Sequence, residues 1–457
     1  MTEYPGEWVN DALLAGDPGD PCLWMGGPVT RGELASLVGA RQSLLESAGL
    51  RPGGTAAIQL PPSLEYVAVL LAAWRIGAQV SLLDHRLVRR EVDNALDRLA
   101  PQVMVTADSV ATAPMMGYAQ AVARAQARPA GRPAATPHVL IQLSSGSTGP
   151  SKIIARTAAD LLGELGRYAQ LEEYPRRGER IVVLASMVHV LGLVGGLLHG
   201  LHAGVELAFA DRLTADGIRG AVAAGSRPTM VLGVPFHAEL LTTGGAPLPS
   251  LRRMVVAGEL VRPWLPARFT EAYGVPLGTM YGMTELGVIA TDLSGRNAPA
   301  VAPAPGMSLR VADGELLVRM PASPYIGLID DTRWADGWLH TRDAASIDPA
   351  TGLVTILGRL DSQISVGGLK VDLTEVEQAL CALPEVDSAV VTFDAAIEAY
   401  LVLRDGGRIS AVEAALAEQL SAYKRPRRLR VLSAMPRTAT GKISRDRAVL
   451  RAAVDAQ

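Results

Sequence analysis

The chain has 457 residues, a length that favours two or more domains over a single hydrophobic core. Its net charge of −3 argues against a nucleic-acid-binding protein, and its 49% hydrophobic content is ordinary for a globular one. Two distant cysteines, Cys22 and Cys381, lie in no metal-binding or redox spacing, so we expect a reduced, cytoplasmic setting. The acidic N-terminus does not match the basic start of a signal peptide.

Alternating helices and strands are predicted up to about residue 290, which indicates an α/β domain with a helix-covered parallel sheet. The first helix begins after Thr30, with Glu33 as its capping partner, and runs to about Ala48. The next predicted elements are a strand at 55–60, a helix at 63–76 capped by Gly77, a strand at 79–83, an Ala/Pro/Arg-rich linker at 124–137, and buried strands at 228–234 and 253–256.

The uncharged segment 181–201 is long enough to cross a membrane. Ser186, His189 and His199 within it would be costly in lipid. We therefore interpret it as a buried strand over 181–185, a turn, and a core helix from about Leu191.

Residues 301–357 are predicted to be rich in short strands, at 307–311, 315–319, 338–341 and 354–357. A smaller α+β unit follows. Its predicted elements are a helix capped by Thr374 with Glu377, strands at 389–393 and 399–403, a helix capped by Ser410 with Glu413, and a strand at 428–432. We place the domain boundary close to Asp361, which gives an N-terminal domain of residues 1–360 and a C-terminal domain of residues 361–457.

The basic residues are strongly biased towards arginine. Only four of the 43 are lysines: Lys152, Lys370, Lys424 and Lys442. Where arginine serves equally well it has been used, so these four positions are candidates for sites that need a compact ammonium group.

A loop of glycine and hydroxyl residues directly follows the apolar run at 138–141. Glycines let the backbone approach a phosphate, hydroxyls add neutral donors, and the lysine adds a mobile charge. The spacing is not that of a Walker-type P-loop, and a mobile linker is disfavoured because a strand leads straight into it. The candidate phosphate-binding residues are Ser144, Ser145, Gly146, Ser147, Thr148, Gly149 and Lys152.

A second group of polar residues, Tyr281–Glu285, follows a predicted strand at 276–279. A tyrosine there can stack on a base, a threonine can bond a phosphate oxygen, and a carboxylate can hold Mg²⁺. The residues taken alone fit a helix N-terminus equally well. Further along the chain, Asp343 and Arg359 could bind the hydroxyls of a ribose, although an isolated aspartate in a turn is commonly structural.

Three segments in this order resemble the acyl-adenylate-forming superfamily, which includes acyl-CoA synthetases, peptide-synthetase adenylation domains and luciferases. They are the Ser/Gly loop, Tyr281–Glu285, and the segment 436–445 with Lys442. The resemblance extends from about Thr30 to Arg445. It implies an α/β fold in which a large N-terminal domain of helix-covered sheets and a β-rich subdomain precedes a small mobile α+β C-terminal domain.

The resemblance also implies roles for individual residues. Tyr281 would pack on adenine, Thr284 would contact the α-phosphate, and Glu285 would bind Mg²⁺. Lys442, Thr284 and His189 would be the catalytic residues. The implied ATP- and AMP-binding set, beyond the Ser/Gly loop, is Ala257, Gly258, Glu259, Tyr281, Gly282, Met283, Asp343 and Arg359. The family pattern has glycine before the aspartate, so Arg342 is a departure that puts the local turn geometry in question.

The implied reaction has two halves. A carboxylate first attacks the α-phosphorus of MgATP, and Lys442 would bridge the two anions. The small domain would then rotate about Asp361 and present Gly367 and Gly368 beside a channel for the incoming thiol.

The acid that is activated depends on the segment 186–193. Amino-acid-activating relatives carry an aspartate here, whereas this chain has Val188 and His189, which disfavours an α-amino acid. His189 could flank the carboxylate of the substrate, or it could be a buried structural histidine. The predicted pocket suits an aryl or aliphatic acid, and its walls are Val190, Leu193, Leu232, Val234, Gly258, Thr279 and Met283.

The acceptor of the acyl group stays open between two thiols. Six arginines cluster around Lys442 in sequence and could meet the phosphates of coenzyme A or an acidic carrier protein; a solvated basic face is an equally good interpretation. These are Arg425, Arg427, Arg428, Arg430, Arg437 and Arg445. We expect an AMP-forming acyl-CoA synthetase that uses ATP, Mg²⁺ and coenzyme A. The alternatives are a ligase that loads a carrier-protein phosphopantetheine and a catalytically inactive acyl-AMP-binding protein.

Overall fold

The computed structural model describes residues 6–108, 115–143, 152–327, 332–360, 362–436 and 443–455. These residues form two compact units. The first comprises 6–85, 99–108, 115–142, 153–327 and 332–360; the second comprises 86–98 and 362–455 within the described ranges, together with Leu143 and Lys152. Several residues predicted to act lie outside the described part of the chain: Ser144, Ser145, Gly146, Ser147, Thr148, Gly149, Asp361 and Lys442.

The described strands of the first unit are short and numerous. In chain order they are β1 Pro21–Trp24, β2 Pro28–Thr30, β3 Thr55–Gln59, β4 Gln79–Leu82, β5 Val103–Ala107, β6 Ala123–Ala127, β7 Leu140–Leu143, β8 Ile153–Arg156, β9 Arg180–Val183, β10 Glu206–Ala208, β11 Thr229–Gly233, β12 Leu251–Ala257, β13 Leu277–Met283, β14 Gly287–Asp292, β15 Ala302–Pro303, β16 Leu309–Ala312, β17 Glu315–Arg319, β18 Tyr325–Ile326, β19 Trp334–Ala335, β20 Trp338–Ile347 and β21 Val354–Arg359.

These strands form two large sheets and a smaller one. The nine-stranded sheet has the order β15-β14-β13-β12-β11-β9-β10-β1-β2, and its interior pairs from β13 to β1 are parallel. The seven-stranded sheet has the order β18-β8-β7-β4-β3-β5-β6. The β-rich part consists of β16-β17-β20-β19, with β21 on β20. This matches the predicted α/β domain with a β-rich addition.

Helices cover the sheets of the first unit, while α4 belongs to the second unit for most of its length. They are α1 Glu7–Val9, α2 Arg31–Ser47, α3 Leu64–Ile76, α4 Arg89–Leu99, α5 Ala158–Gln170, α6 His199–Ala203, α7 Ala215–Ala223, α8 Pro235–Leu241 and α9 Leu265–Tyr273, with π-helical turns at Asn10–Leu14 and Leu191–Leu198. The predicted capping box of Thr30 and Glu33 is present at α2, and Gly77 ends α3 in the left-handed conformation.

The apolar segment 181–201 folds as expected. Its first residues lie in the buried strand β9, and a turn leads into the buried helix that starts at Leu191. Among the described residues, no helix combines the length and the apolar character needed to cross a membrane.

Three local predictions about the first unit need correction. The segment 124–137 is not all linker, because β6 pairs with the edge of β5. The strand that was predicted to end at Thr279 continues to Met283, so Tyr281 lies within a strand. Thr284 and Glu285 then form a turn into β14 and not a helix N-terminus.

The second unit has its own hydrophobic core, formed by one face of each of its helices and its sheet. Its elements after Leu360 are β22 Gln363–Val366, β23 Leu369–Asp372, α10 Leu373–Cys381, β24 Val386–Phe393, β25 Ile397–Leu403, α11 Ile409–Gln419, β26 Arg428–Val431 and α12 Arg447–Asp455. The capping predictions fail here. Asp372 caps α10 by accepting from the backbone N–H of Thr374, and α11 starts after Arg408 without a side-chain cap.

The segment 86–98, which the predicted boundaries assign to the N-terminal domain, is part of this second unit. Lys424 holds it in place, with Nζ 2.8 Å from Oε1 of Glu91 and 2.9 Å from Oε1 of Glu375. Burial alone would lower the pKa of Lys424, but the carboxylates of Glu375 and Glu91 outweigh it and raise that pKa. The backbone N–H of Ser421 also donates to Glu91, at 3.1 Å.

Candidate active site

The carboxyl ends of β11, β12 and β13 meet at one edge of the nine-stranded sheet, because these three strands are parallel neighbours. Val234 follows β11 and Gly258 follows β12. Gly258 has φ +93°, and a Cβ atom there would lie 3.9 Å from Cγ1 of Val234. Such an edge is where open α/β sheets bind ligands. The structure thus brings two predicted pocket residues together beside the end of β13.

Tyr281 near the end of β13 contacts the residues that were predicted to bind ribose. Its hydroxyl donates to Oδ2 of Asp343 at 2.5 Å, and Nη1 of Arg359 donates to Oδ1 of the same carboxylate at 3.2 Å. Asp343 and Arg359 are direct cross-strand partners on β20 and β21. Burial, followed by the Asp343 charge, raises the pKa of Tyr281 well above its usual value, so its phenol stays a neutral donor.

The turn after β13 presents a carboxylate to a buried tyrosine. The hydroxyl of Tyr325 donates to Oε1 of Glu285 at 2.8 Å. Within the described ranges, no group of three or more His, Cys, Asp or Glu side chains could hold a metal ion. Mg²⁺ in nucleotide sites commonly uses one or two carboxylates together with substrate phosphates and water. Glu285 fits that type of site and does not fit an all-protein cage.

A buried ion pair holds the backbone on the far side of Glu285. Nη1 of Arg156 lies 2.6 Å from Oε2 of Glu164, and both side chains are almost fully inaccessible, at 3% and 0% exposed. The backbone N–H of Val288 donates to Oε1 of Glu164 at 3.1 Å, and Nη2 of Arg167 donates to the carbonyl of Leu286 at 2.9 Å. The turn that carries Glu285 is therefore tied to β8 and α5.

The segment with His189 is held through its backbone carbonyls. The hydroxyl of buried Tyr66 donates to the carbonyl of Met187 at 2.7 Å, and Nε2 of Gln142 donates to the carbonyl of Val188 at 2.6 Å. His189 itself is half-buried, and its backbone N–H closes a turn onto the carbonyl of residue 186 at 3.1 Å. This arrangement sets where the imidazole of His189 starts.

The predicted acyl-pocket walls differ in burial. Leu193 and Leu232 are 0% exposed and pack in the main hydrophobic core. The partly accessible members of the predicted set are Val190, Gly258, Thr279 and Met283. The accessible residues therefore offer the surface that a substrate could touch, while the buried leucines support it from behind.

In the second unit, Gly367 and Gly368 form the two-residue turn between β22 and β23, with φ +56° and +81°. Two positive φ values in a two-residue hairpin favour glycine at both positions. The unit also corrects the expectation of a free basic face. Arg428 and Arg430 pair with Glu398, and Arg445 bonds Glu377. Lys152 and Lys370 are half-buried.

Sequence reasoning missed the residues that support the site. Tyr325, Glu164 and Tyr66 act on partners 40, 124 and 121 positions away in the chain. Glu164 gave one weak signal, since a carboxylate in the middle of an amphipathic helix was buried with the apolar face. The other two carried no local signature.

The fold and this arrangement together define a nucleotide-dependent enzyme of the adenylate-forming class. The chain belongs to the AMP-binding enzyme family, whose model matches residues 11–324; the model of the AMP-binding enzyme C-terminal domain matches residues 375–442.

Curated relatives cover nearly the whole chain. It is 27% identical over 477 residues to the p-hydroxybenzoic acid–AMP ligase FadD22 of Mycobacterium tuberculosis strain ATCC 25618 / H37Rv, which covers 96% of this chain and 68% of that protein. It is 28% identical to a feruloyl-CoA synthase of Amycolatopsis sp., with 92% and 93% covered.

Solved structures share the fold. The o-succinylbenzoate CoA synthetase MenE of Bacillus subtilis aligns with a TM-score of 0.80 at 21% identity, covering 97% of this chain and 98% of that one. A malonyl-CoA ligase bound to methylmalonyl-CoA and AMP aligns with a TM-score of 0.76 at 26% identity, covering 94% and 99%.

Proposed function

We propose that this chain activates an aryl or aliphatic carboxylic acid with ATP as acyl-AMP and transfers the acyl group to the thiol of coenzyme A. The observation that carries the proposal is the contact of Tyr281 with Asp343 and Arg359 beside the carboxyl ends of β11 and β12. A flat ring, a carboxylate for two hydroxyls and a guanidinium at one sheet edge suit the adenosine of ATP. The CoA ligases among the relatives support the thiol acceptor.

In the first half-reaction, a carboxylate oxygen of the acid bonds to the α-phosphorus, and the bond to the β-phosphate oxygen breaks. Pyrophosphate leaves. Bound Mg²⁺ supplies positive charge that reduces the repulsion between the two anions. Glu285 would hold it, Thr284 would donate to the α-phosphate, and Lys442 would approach the same phosphate from the second unit. In the second half, the thiolate sulfur bonds to the acyl carbon and AMP leaves.

The acid belongs to a class that the accessible apolar surface selects. Val190, Thr279 and Met283 offer no charge to an α-ammonium group, which favours aryl and aliphatic acids over amino acids. His189 would lie near the carboxylate that reacts.

The experiment is incorporation of labelled pyrophosphate into ATP over a panel of aryl, alkyl and amino acids, followed by thioester assays with coenzyme A. We expect exchange with one or more aryl or alkyl acids. Asp343→Asn should raise the KM for ATP about tenfold or more, whereas Asp348→Asn, in an exposed turn after β20, should not. Equal effects of the two variants would contradict the assignment of the ribose site.

Lys442→Ala should slow acyl-AMP formation by ~10²–10³, the scale of losing one electrostatic stabiliser. Thioester formation from supplied acyl-AMP should be largely spared. Equal losses in the two half-reactions would contradict a role for Lys442 in the first half alone. Lys152→Ala should weaken the use of ATP, and unchanged ATP kinetics would make its loop purely structural.

A second candidate is a ligase that loads the acyl group onto a carrier protein, and the similarity to an acid–AMP ligase favours it. Exchange with an acid but no thioester with coenzyme A, together with transfer to a phosphopantetheine-bearing carrier protein, would identify that function. No exchange with any acid would support an inactive acyl-AMP-binding protein.

A further inference from the structure

The ring of Tyr325 is buried at the point where the seven-stranded sheet passes the turn with Glu285. Tyr325 is 8% exposed and packs in one cluster with Ile154 and Leu339. Met283 and Leu286, which bracket the Thr284–Glu285 turn, pack against the same cluster. The ring therefore contacts the neighbourhood of the turn from below, and its hydroxyl reaches the carboxylate above.

The backbone of Tyr325 is held as firmly as its ring. Tyr325 pairs with Ile154 of β8, and the N–H of Ala155 donates to the carbonyl of Pro324 at 2.9 Å. β8 begins one residue after Lys152, the end of the Ser/Gly loop in the sequence. A side chain on β18 is thus built onto the strand that leaves the predicted phosphate loop.

From these contacts we propose that Tyr325 is a positioning residue for the metal-binding carboxylate of Glu285. The hydrogen bond at 2.8 Å occupies Oε1 and leaves Oε2 to face a metal ion. Mg²⁺ demands near-ideal octahedral geometry, so a carboxylate with one oxygen held in place binds it better than one that rotates. This inference rests on the proposed function, since it assumes that Glu285 meets Mg²⁺ bound to ATP.

The backbone anchors described above do not replace this contact. Glu164 and Arg167 hold Val288 and Leu286, which places the Cα atom of Glu285 but leaves its side-chain torsions free. Tyr325 acts on the carboxylate itself. Support of a metal ligand by an outer hydrogen bond is commonly worth ten- to a hundredfold in metal affinity.

The test compares Tyr325→Phe with Tyr273→Phe. Tyr273 also donates through its hydroxyl to a backbone carbonyl, that of Leu241 at 2.9 Å, and it lies in a different hydrophobic cluster. Calorimetry measures binding of α,β-methylene-ATP with Mg²⁺ and with EDTA. For Tyr325→Phe we expect the Mg²⁺-dependent gain in affinity to fall about ten- to a hundredfold, with unchanged binding in EDTA. Tyr273→Phe should match the wild type under both conditions.

A second comparison separates positioning from general loosening. In a Glu285→Gln background, Tyr325→Phe should add no further loss of Mg²⁺-dependent binding, because the carboxylate that it positions is absent. Equal losses in Mg²⁺ and in EDTA, or additive losses in the double variant, would overturn the proposal. Wild-type protein that shows no exchange with any acid would refute the proposed function, whereas exchange with an unaltered Mg²⁺ dependence in Tyr325→Phe would refute this inference alone.

Discussion

The buried pair of Arg156 and Glu164 allows a quantitative test of how the site is supported. Glu164→Gln keeps an oxygen for the N–H of Val288 but removes the charge that faces Arg156. Both side chains are almost fully buried, so removing one partner of the pair should lower the free energy of unfolding by about 3–5 kcal/mol. That is a large part of the 5–15 kcal/mol typical of a folded domain. The loss exceeds that of a neutral hydrogen bond, about 1 kcal/mol.

Urea unfolding followed by circular dichroism measures the change. The control is Asp216→Asn, the same acid-to-amide change in the pair with Arg219, because the side chain of Asp216 is 98% exposed and should contribute less than about 1 kcal/mol. A double variant, Arg156→Met with Glu164→Gln, removes both charges and should recover most of the lost stability. A loss below about 1 kcal/mol for Glu164→Gln, or a double variant no better than the single one, would refute the reasoning.

Three further predictions concern stability. The burial of His237 lowers its pKa to about 4 and the N–H of Val234 donates to its Nδ1, so the unfolded chain binds the extra proton first as the pH falls below 6.5. Between pH 7 and pH 5 the wild type should lose about 2 kcal/mol more than His237→Asn in urea titrations, and parallel pH profiles would contradict this. Lys424→Met leaves two carboxylates facing each other without their ammonium, so we expect a loss of about 2–3 kcal/mol, and an unchanged thermal midpoint would exclude that role. Arg342→Gly should change stability by less than about 1 kcal/mol, because relief of its left-handed φ offsets the lost contacts with Glu315, whereas Arg342→Ala keeps the strain and should be the less stable of the two by urea unfolding.

Local sequence signals predicted most of the first unit because the forces behind them are local. The hydroxyls of Thr30 and Ser63 each cap a helix three residues before the N–H that they accept from, and Gly77 follows α3 in a left-handed conformation. Each of these features is complete within a few residues of chain. Alternating apolar runs likewise located the buried strands β11 and β12.

The capping predictions in the second unit were wrong for a reason that a local pattern does not contain. Asp372 accepts from the N–H of Thr374 and, through the same oxygen, from the hydroxyl of Ser362 at 2.7 Å. Ser362 lies ten residues earlier, before the β22–β23 hairpin, and brings a second donor to the aspartate. Thr374 then turns its hydroxyl to Ser362 at 2.9 Å instead of capping the helix. A tertiary contact thus decided between two residues with similar capping ability.

The candidate site divides in the same way. The side chains that would touch ATP were found from the resemblance, since their types follow from the chemistry of a base, a ribose and a metal ion. The residues behind them were not, because Tyr325 and Glu164 could be replaced in principle by any group that reaches Glu285 or Val288 from another strand or helix. Which group does so depends on how β8, α5 and β18 are ordered in space.

Arg342 shows why a departure from the family pattern need not disturb the chemistry beside it. Arg342 adopts φ +61°, a conformation that glycine reaches without strain and that costs another residue about 1–2 kcal/mol. Its N–H donates to Oε1 of Glu315 at 2.8 Å, and Nη2 donates to the carbonyl of Thr332 at 2.6 Å. Both contacts offset the strain, and neither uses Asp343 or Arg359. The turn therefore keeps the path that a glycine would give it, and the carboxylate of Asp343 still meets its two donors, so the substitution acts on stability while the nucleotide-facing side chains keep their arrangement.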